Sequence, residues 1–332
     1  MSEAGPPLLL LALAGGESAT AASVAVASGV TRSAVWKQAA GLRARGLPIQ
    51  SCGRAGYRLP WPLQLLDGAR IRAGLPTVVA GRLGALEVHW ELDSTSTQLQ
   101  RGAGDAPDLS MVLAETQTAG RGRRGRNWLS PPGMNLYLSC LKRFEHGFAA
   151  LAGLSLAVGV MLVRALASLE IVGAGLKWPN DVLARGPGAP GGKLAGILLE
   201  LGGDYQGACT AVIGVGLNLC LTPTLREQAG QPVCDLATLN GGAAPDRNRA
   251  AAALIAALVT GLCAFEREGF AAFSADYARH DLLHGQALRV TGALGTFDGV
   301  GAGVDARGAL RVRLADGTVR VVDSADVTVR RR

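Results

Sequence analysis

The chain has 332 residues, 48% hydrophobic and 18% charged, which excludes a disordered polymer and leaves ample length for a large core. Its net charge of +7 and pI near 9.4 favour an anionic partner, either nucleic acid or a phosphorylated ligand. Six cysteines form no C-x-x-C and four histidines are scattered, so spacing gives no metal site, and the thiols read as reduced and cytoplasmic.

At the N-terminus, the apolar run from Leu8 ends in Ala12-Leu13-Ala14, which resembles a signal-peptidase site. No Lys or Arg precedes it, Glu3 does, and Pro6-Pro7 interrupts it, so it reads instead as a buried helix begun by Pro7. No stretch of about 18 apolar residues free of Gly or charge appears, and no membrane span is expected.

Gly29 then turns the chain, and Thr31 caps a helix on which Val35, Ala39 and Leu42 make one buried stripe before Gly46 ends it. Arg32, Ser33, Trp36 and Lys37 occupy the opposite face. This is a helix-turn-helix pattern, and the hairpin 49–59, with Arg54 and Arg58, would be its wing. Thr31, Arg32, Ser33, Lys37 and Arg54 are the candidate DNA contacts. The alternative is a helical protein-interaction module with a solvated basic face.

Leu59-Pro60-Trp61-Pro62 reads as a stiff linker. From 68 to 280 apolar strands and helices alternate. A long apolar helix is expected over 150–169, strands over 194–201 and 210–219, a Gly/Pro-rich loop over 184–192, and a helix over 250–265. In the last 48 residues Leu310, Val312 and Leu314 alternate with polar or small neighbours. Asp316-Gly317 signals a hairpin, so a small all-β module closes the chain.

The chemistry concentrates in three segments. Only four of the 33 basic residues are lysines (Lys37, Lys142, Lys177, Lys193), and two of them fall inside these segments, where a compact ammonium is not interchangeable with a guanidinium fork. The first segment, Gly120-Arg121-Gly122-Arg123-Arg124-Gly125-Arg126-Asn127-Trp128, matches G-x-G-x-x-G literally. It runs into Ser130-Pro131-Pro132-Gly133 rather than a helix, which excludes a dinucleotide turn. Arginines among glycines can wrap anions, and Trp128 offers a flat face for a base. A short nucleic-acid-binding RG segment is the alternative. The second segment, Lys177-Trp178-Pro179-Asn180-Asp181, leaves an apolar strand sharply and exposes Asn180 and Asp181, with turn-capping as the plainer role for Asp181. The third, Gly192-Lys193-Leu194-Ala195-Gly196-Ile197-Leu198, places Lys193 at the head of a strand, within reach of a carboxylate or an α-phosphate. Gly214-Val215-Gly216-Leu217-Asn218 repeats the arrangement of small residues followed by an amide. Gly153-Leu154-Ser155 approaches a serine-hydrolase elbow but lies in an apolar helix, where a core serine fits better.

Together these segments, with Asp93-Ser94-Thr95 as a fourth match, resemble the bifunctional biotin protein ligases of the biotin-operon repressor type over nearly the whole chain. The resemblance implies an α+β multidomain fold: a winged helix-turn-helix over 1–65, a central mixed α/β ligase domain of class II synthetase type over 66–282, and a small SH3-like β-barrel over 283–332. It implies that biotin's carboxylate attacks the α-phosphate of ATP to give biotinyl-5′-AMP, from which biotin passes to a lysine of a biotin carboxyl carrier protein. Ser94, Thr95, Ser96, Gln117, Gly120, Gly122 and Lys193 would hold biotin, and Arg121 and Arg123 would bridge its carboxylate and the phosphate. Arg123, Arg126, Trp128, Lys177, Asn180 and Asn218 would serve the adenylate, and Lys193, Asp181, Arg121 and Arg123 would carry the chemistry. Mg²⁺ would arrive on the ATP phosphates, with no dedicated metal site. Operator DNA, homodimerisation in the adenylate-bound state and a cytoplasmic location are also implied.

Three departures accompany the match: Ser96 stands where the family has Asn, the 182–192 loop is longer, and His280 stands near an expected Trp. A lipoate or octanoate ligase on the same fold, and a DNA-binding regulator using the adenylate only as a signal, are the competing readings.

Overall fold

The computed structural model describes residues 5–185, 191–204, 207–292, 295–323 and 328–331. At the N-terminus α1 (Leu8–Leu13) begins directly after Pro7 and buries Leu9, Leu10 and Leu13. A reciprocal capping box between Thr20 and Ser23 starts α2 (Ala21–Ser28), and Gly29, at φ 65°, ends it in the left-handed conformation. The Thr31 side chain accepts from the Ala34 N–H and starts α3 (Arg32–Ala44), a cap that contributes about 1 kcal/mol. β1 (Gln50–Ser51) and β2 (Tyr57–Arg58) pair antiparallel as the hairpin, and Ala19 adds a bridge to Tyr57. Gly56, at φ 86°, lies so close to that bridge that a Cβ would sit 2.3 Å from the Ala19 carbonyl oxygen. Val24, Val35, Ala39, Leu42, Ile49, Leu59 and Leu63 complete this unit's own apolar cluster. Leu59, the first residue of the expected linker, and Leu63, just after it, are therefore anchored in that core.

The centre is one seven-stranded sheet. After α4 (Gly68–Ala73) and α5 (Thr77–Ala80) come β3 (Leu86–Leu92), α6 (Thr95–Gly102), β4 (Met111–Gln117) and β5 (Asn135–Phe144). Then follow α7 (Leu154–Ser168), β6 (Ala174–Lys177), β7 (Asp181–Ala184), β8 (Lys193–Gly203) and β9 (Cys209–Asn218). α8 (Pro223–Gln228), α9 (Leu236–Leu239), α10 (Arg247–Glu268) and α11 (Ala271–His280) complete it. The strand order is β3-β4-β5-β9-β8-β7-β6, with β3 and β4 parallel and all other neighbours antiparallel. Residues 186–190 of the expected 184–192 loop lie outside the described residues.

Period-two alternation decides what each sheet face does. On β9, Ala211, Ile213, Val215 and Leu217 join the apolar core with α7 and α10. Val212, Gly214, Gly216 and Asn218 face the other way. By length and hydropathy the segments 148–168 and 247–268 could each cross a bilayer, but most of each is buried inside the protein, packed as core helices.

The C-terminal residues form β10 (Ala287–Gly292), β11 (Gly295–Val304), β12 (Leu310–Arg313), β13 (Val319–Val322) and β14 (Thr328–Arg331). The expected SH3-like barrel is not formed. The sheet is open, in the order β13-β12-β11-β10-β14, and among the described residues no pairing joins β13 to β14. Alternation specifies the strands and their inward residues but not closure, which needs a fixed stagger and tilt around the whole circuit. Here the inner face is covered differently: Leu288, Val290, Leu310, Val312 and Val322 merge with the core of the central sheet. The buried Trp178 indole N–H donates to the Gly308 carbonyl at 3.0 Å, fastening this sheet to the Lys177–Asp181 segment.

Candidate active site

The cleft lies on the face of the central sheet opposite α7 and α10, and glycine makes its floor. A Cβ on Gly216 would sit 2.4 Å from the Trp128 ring, one on Gly196 2.9 Å from it, and one on Gly214 2.8 Å from the Ser96 hydroxyl. The absence of side chains at these three positions lets the arginine loop and the start of α6 lie directly on the strands. Gly192 serves the same end beside Lys193: a Cβ there would meet the Val233 backbone at 2.3 Å.

One end of the cleft is a closed set of hydroxyls and amides. The Thr95 backbone N–H donates to Gln117 Oε1 at 2.9 Å, while the Thr95 and Ser96 hydroxyls lie 2.7 and 3.0 Å from the Ser139 hydroxyl. Gln117 Nε2 in turn donates to the Ser130 hydroxyl at 3.1 Å. Ser96 thus stays in the network at the position where an Asn was expected. Tyr137, from β5, donates its hydroxyl to the Pro131 carbonyl, and burial pushes its pKa far above the usual phenol range, so it stays neutral.

Four cationic or amide groups from three segments converge above the floor. Lys193 Nζ pairs with Asp181 at 2.7 Å and stands 5.3 Å from the centre of the Trp128 ring. Arg123 Nη1 donates to Asn180 Oδ1 at 3.3 Å, and Asn180 Nδ2 donates to the Ile197 carbonyl at 2.9 Å. Arg121 Nη2 pairs with Glu200 at 2.9 Å. The loop carrying both arginines closes on itself: Gly122 N–H donates to the Arg126 carbonyl and Trp128 N–H to the Gly120 carbonyl. Ser155, expected as a core serine, donates to the Pro179 carbonyl and helps hold this segment.

Trp128 divides the cleft. On one side a cavity of about 50 Å³ is lined by Ser94, Thr95, Ser96, Gln117, Arg121, Gly122, Arg123, Asn180 and Lys193. On the other, a cavity of about 60 Å³ is lined by Asn135, Lys193, Asn218, Leu221, Leu225 and Val233. Each is smaller than the several hundred Å³ of a usual small-molecule site. Trp128 and Lys193 line both.

The second cavity contains a residue that the sequence reading missed. Asn135 is 1% exposed; its Oδ1 accepts from the Leu219 N–H, but among the described residues its buried Nδ2 has no partner, and neither has the Trp128 indole N–H. Buried donors without acceptors are uncommon and costly, so both call for a ligand acceptor. Ser139, Tyr137 and Glu200 were missed as well, since nothing in their local sequence marks them.

Of the remaining candidates, Asn218 lines the second cavity and the others lie outside both. Asp181 reaches the site through Lys193, and Gly120 through the tight seat of the loop against Gln117 and Trp128. Lys177 stands opposite Asp181 in the β6–β7 pairing, and Arg126 is exposed on the loop. Asn218 Nδ2 donates to the Lys193 and Cys234 carbonyls, bracing the start of β8. Lys142 is structural. Burial would lower its pKa, but hydrogen bonds to Asp108 and Glu266 outweigh that and raise it. Thr31, Arg32, Ser33, Lys37 and Arg54 are all solvent-exposed on α3 and the hairpin. All six cysteines are free.

Comparison with known proteins places this arrangement in a family. The biotin/lipoate A/B protein ligase family matches residues 91–218, the stretch from the end of β3 through β9. A bifunctional ligase/repressor BirA from Salmonella typhimurium is 34% identical over 331 residues, covering 99% of both chains. Its counterpart from Bacillus subtilis is 30% identical and covers 96% of both. Among solved structures, a biotin protein ligase from Aquifex aeolicus in complex with biotin and ATP is 27% identical, with a TM-score of 0.63, over 75% of this chain and 99% of that one. The chain belongs to the biotin/lipoate A/B protein ligase family and, by its full-length match, to the bifunctional ligase/repressor type within it.

Proposed function

We propose that this protein is an ATP-dependent biotin–protein ligase that also acts as a biotin-responsive transcriptional repressor. The observation that carries the ligase reading is the convergence of Arg121, Arg123 and Lys193 over a glycine floor, beside a buried hydroxyl cluster. In the first step an oxygen of the biotin carboxylate bonds to the α-phosphorus of ATP and pyrophosphate leaves, giving biotinyl-5′-AMP. Both reactants are anions. Cations held in a partly buried site offset their repulsion and the charge that builds on the phosphoryl oxygens. In the second step the neutral amine of a carrier lysine attacks the biotinyl carbonyl. AMP leaves, and the amine gives up a proton.

In this reading Ser94, Thr95, Ser96, Gln117, Gly120 and Gly122 hold the ring end of biotin. Lys193, Arg121 and Arg123 meet its carboxylate and the α-phosphate, and Asp181 orients Lys193. The adenosine side takes Asn135, Asn218, Asn180 and Trp128, with Arg126 and Lys177 nearby. Among the described residues no three carboxylate, thiol or imidazole groups gather to hold a metal. In this reading Mg²⁺ arrives as a companion of the ATP phosphates, which leave it few protein ligands to need.

We assign residues 1–65 to DNA binding, 66–282 to catalysis and 283–332 to the β module. The exposed basic face of α3 supports operator recognition by a dimer, in the cytoplasm where ATP and the biotin carboxyl carrier protein are present. The deciding experiment is ATP–pyrophosphate exchange with biotin, with lipoate and with neither. Exchange that requires biotin, followed by transfer to a carrier domain, is expected. Exchange that requires lipoate would overturn the substrate, and adenylate without transfer would leave only a regulator.

A further inference from the structure

We propose that Glu200 and Gln100 are positioning residues, the receiving half of a clasp that holds the arginine loop shut over the adenylate; this rests on the ligase reading. Arg121 Nη2 reaches Glu200 Oε2 at 2.9 Å and Gln100 Oε1 at 3.2 Å. One guanidinium nitrogen carries two hydrogens, and each is used. The two acceptors stand on different elements of the cleft. Gln100 lies on α6, the helix that begins at Thr95, and Glu200 lies on β8, the strand that begins at Lys193. One side chain of the loop therefore ties together the element that carries the hydroxyl end and the element that carries the catalytic lysine.

The clasp suits the reaction's middle stage. A biotinyl–phosphate anhydride is prone to hydrolysis and to attack by any amine, so it has to be kept from water until the carrier lysine arrives. The loop's own backbone bonds make it a closed hairpin, but they do not attach it to the cleft walls. The Arg121 contacts do, and the Arg123–Asn180 bond adds a second tie. Among the described residues no acceptor meets the Arg121 Nε–H or Nη1 hydrogens, so the same residue can close the loop and touch the ligand. As an ion pair on a partly exposed side chain the contact adds little to folding stability; its value is orientation.

The test compares wild type with Glu200→Ala, Glu200→Gln and Gln100→Ala. Enzyme loaded with biotin and MgATP is passed rapidly through a desalting column, and the adenylate remaining on the protein is followed in time. Glu200→Ala is expected to shorten retention about tenfold, the effect of losing one charge-assisted hydrogen bond. Its pyrophosphate-exchange kcat should stay within roughly threefold of wild type, because the reacting groups are untouched. Glu200→Gln keeps an acceptor and should recover most of the retention, and Gln100→Ala should show a smaller loss. Unchanged retention in Glu200→Ala would overturn the clasp while leaving the ligase intact. Longer retention would overturn it too, by making Glu200 a competitor of the ligand. Wild type that forms no adenylate would bring down the ligase reading and the clasp with it.

Discussion

The two ends of the cleft are built on opposite rules. Around Thr95, Ser96, Gln117 and Ser139 every hydroxyl and amide named above has a protein partner. Among the described residues, the Asn135 amide past Trp128 and the Trp128 indole itself each hold a buried N–H with no acceptor. A ligand entering the first end exchanges one hydrogen bond for another, which yields selectivity with little net energy. A ligand entering the second end supplies acceptors that the protein lacks, and each such bond relieves a desolvation cost already incurred in folding. The first end is therefore preformed, and the second is completed by its occupant.

Lys193 lines both cavities, and its replacement should break the comparison altogether. Lys193→Ala is expected to lower biotin-dependent pyrophosphate exchange by about 10²- to 10³-fold, the scale of losing one preorganised charge at a reacting centre. An exchange rate near wild type would move the reaction away from this cleft. Next in size is Asn135→Ala. It should raise the KM for ATP roughly tenfold while the KM for biotin changes by about twofold or less. An unchanged KM for ATP would show that the nucleotide does not use the second cavity. The smallest effect belongs to Ser139→Ala. Loss of its shared hydroxyl should cost about 1 kcal/mol of stability, read by denaturant unfolding. It should affect the KM for biotin and not that for ATP, the reverse of Asn135→Ala. If both variants moved the same constant, the two ends would be one site rather than two.

Legibility in the sequence followed the range of the interactions. Cap residues and turn glycines act over a few positions, so Thr31 capping α3 and Gly29 ending α2 could be read directly. The same holds for the small-residue pattern of β9, whose alternation appears in the structure as one core face and one cleft face. The segments around Arg121, Asn180 and Lys193 were visible because glycine, proline and a scarce lysine mark them. Their meeting was not, since it depends on the order in which strands pair. Ser139 shows the limit: it is an ordinary serine in an apolar strand, and its place against Thr95 follows from where α6 settles on β5. The open C-terminal sheet shows it again. Its strands were readable from alternation, but what covers their inner face is the central core, far away in sequence.

By itself, then, the sequence determined the caps, the turn positions, the alternating faces and the chemical types gathered in the three marked segments. These follow from steric and hydrogen-bonding preferences acting within a turn or a strand. Only the tertiary structure decided that Arg121 would be held by Glu200 and Gln100, that among the described residues Asn135 and Trp128 would bury donors without acceptors, and that the last five strands would stay open. Those outcomes depend on packing between elements distant in the chain, where the burial of one face fixes which side chains meet on the other.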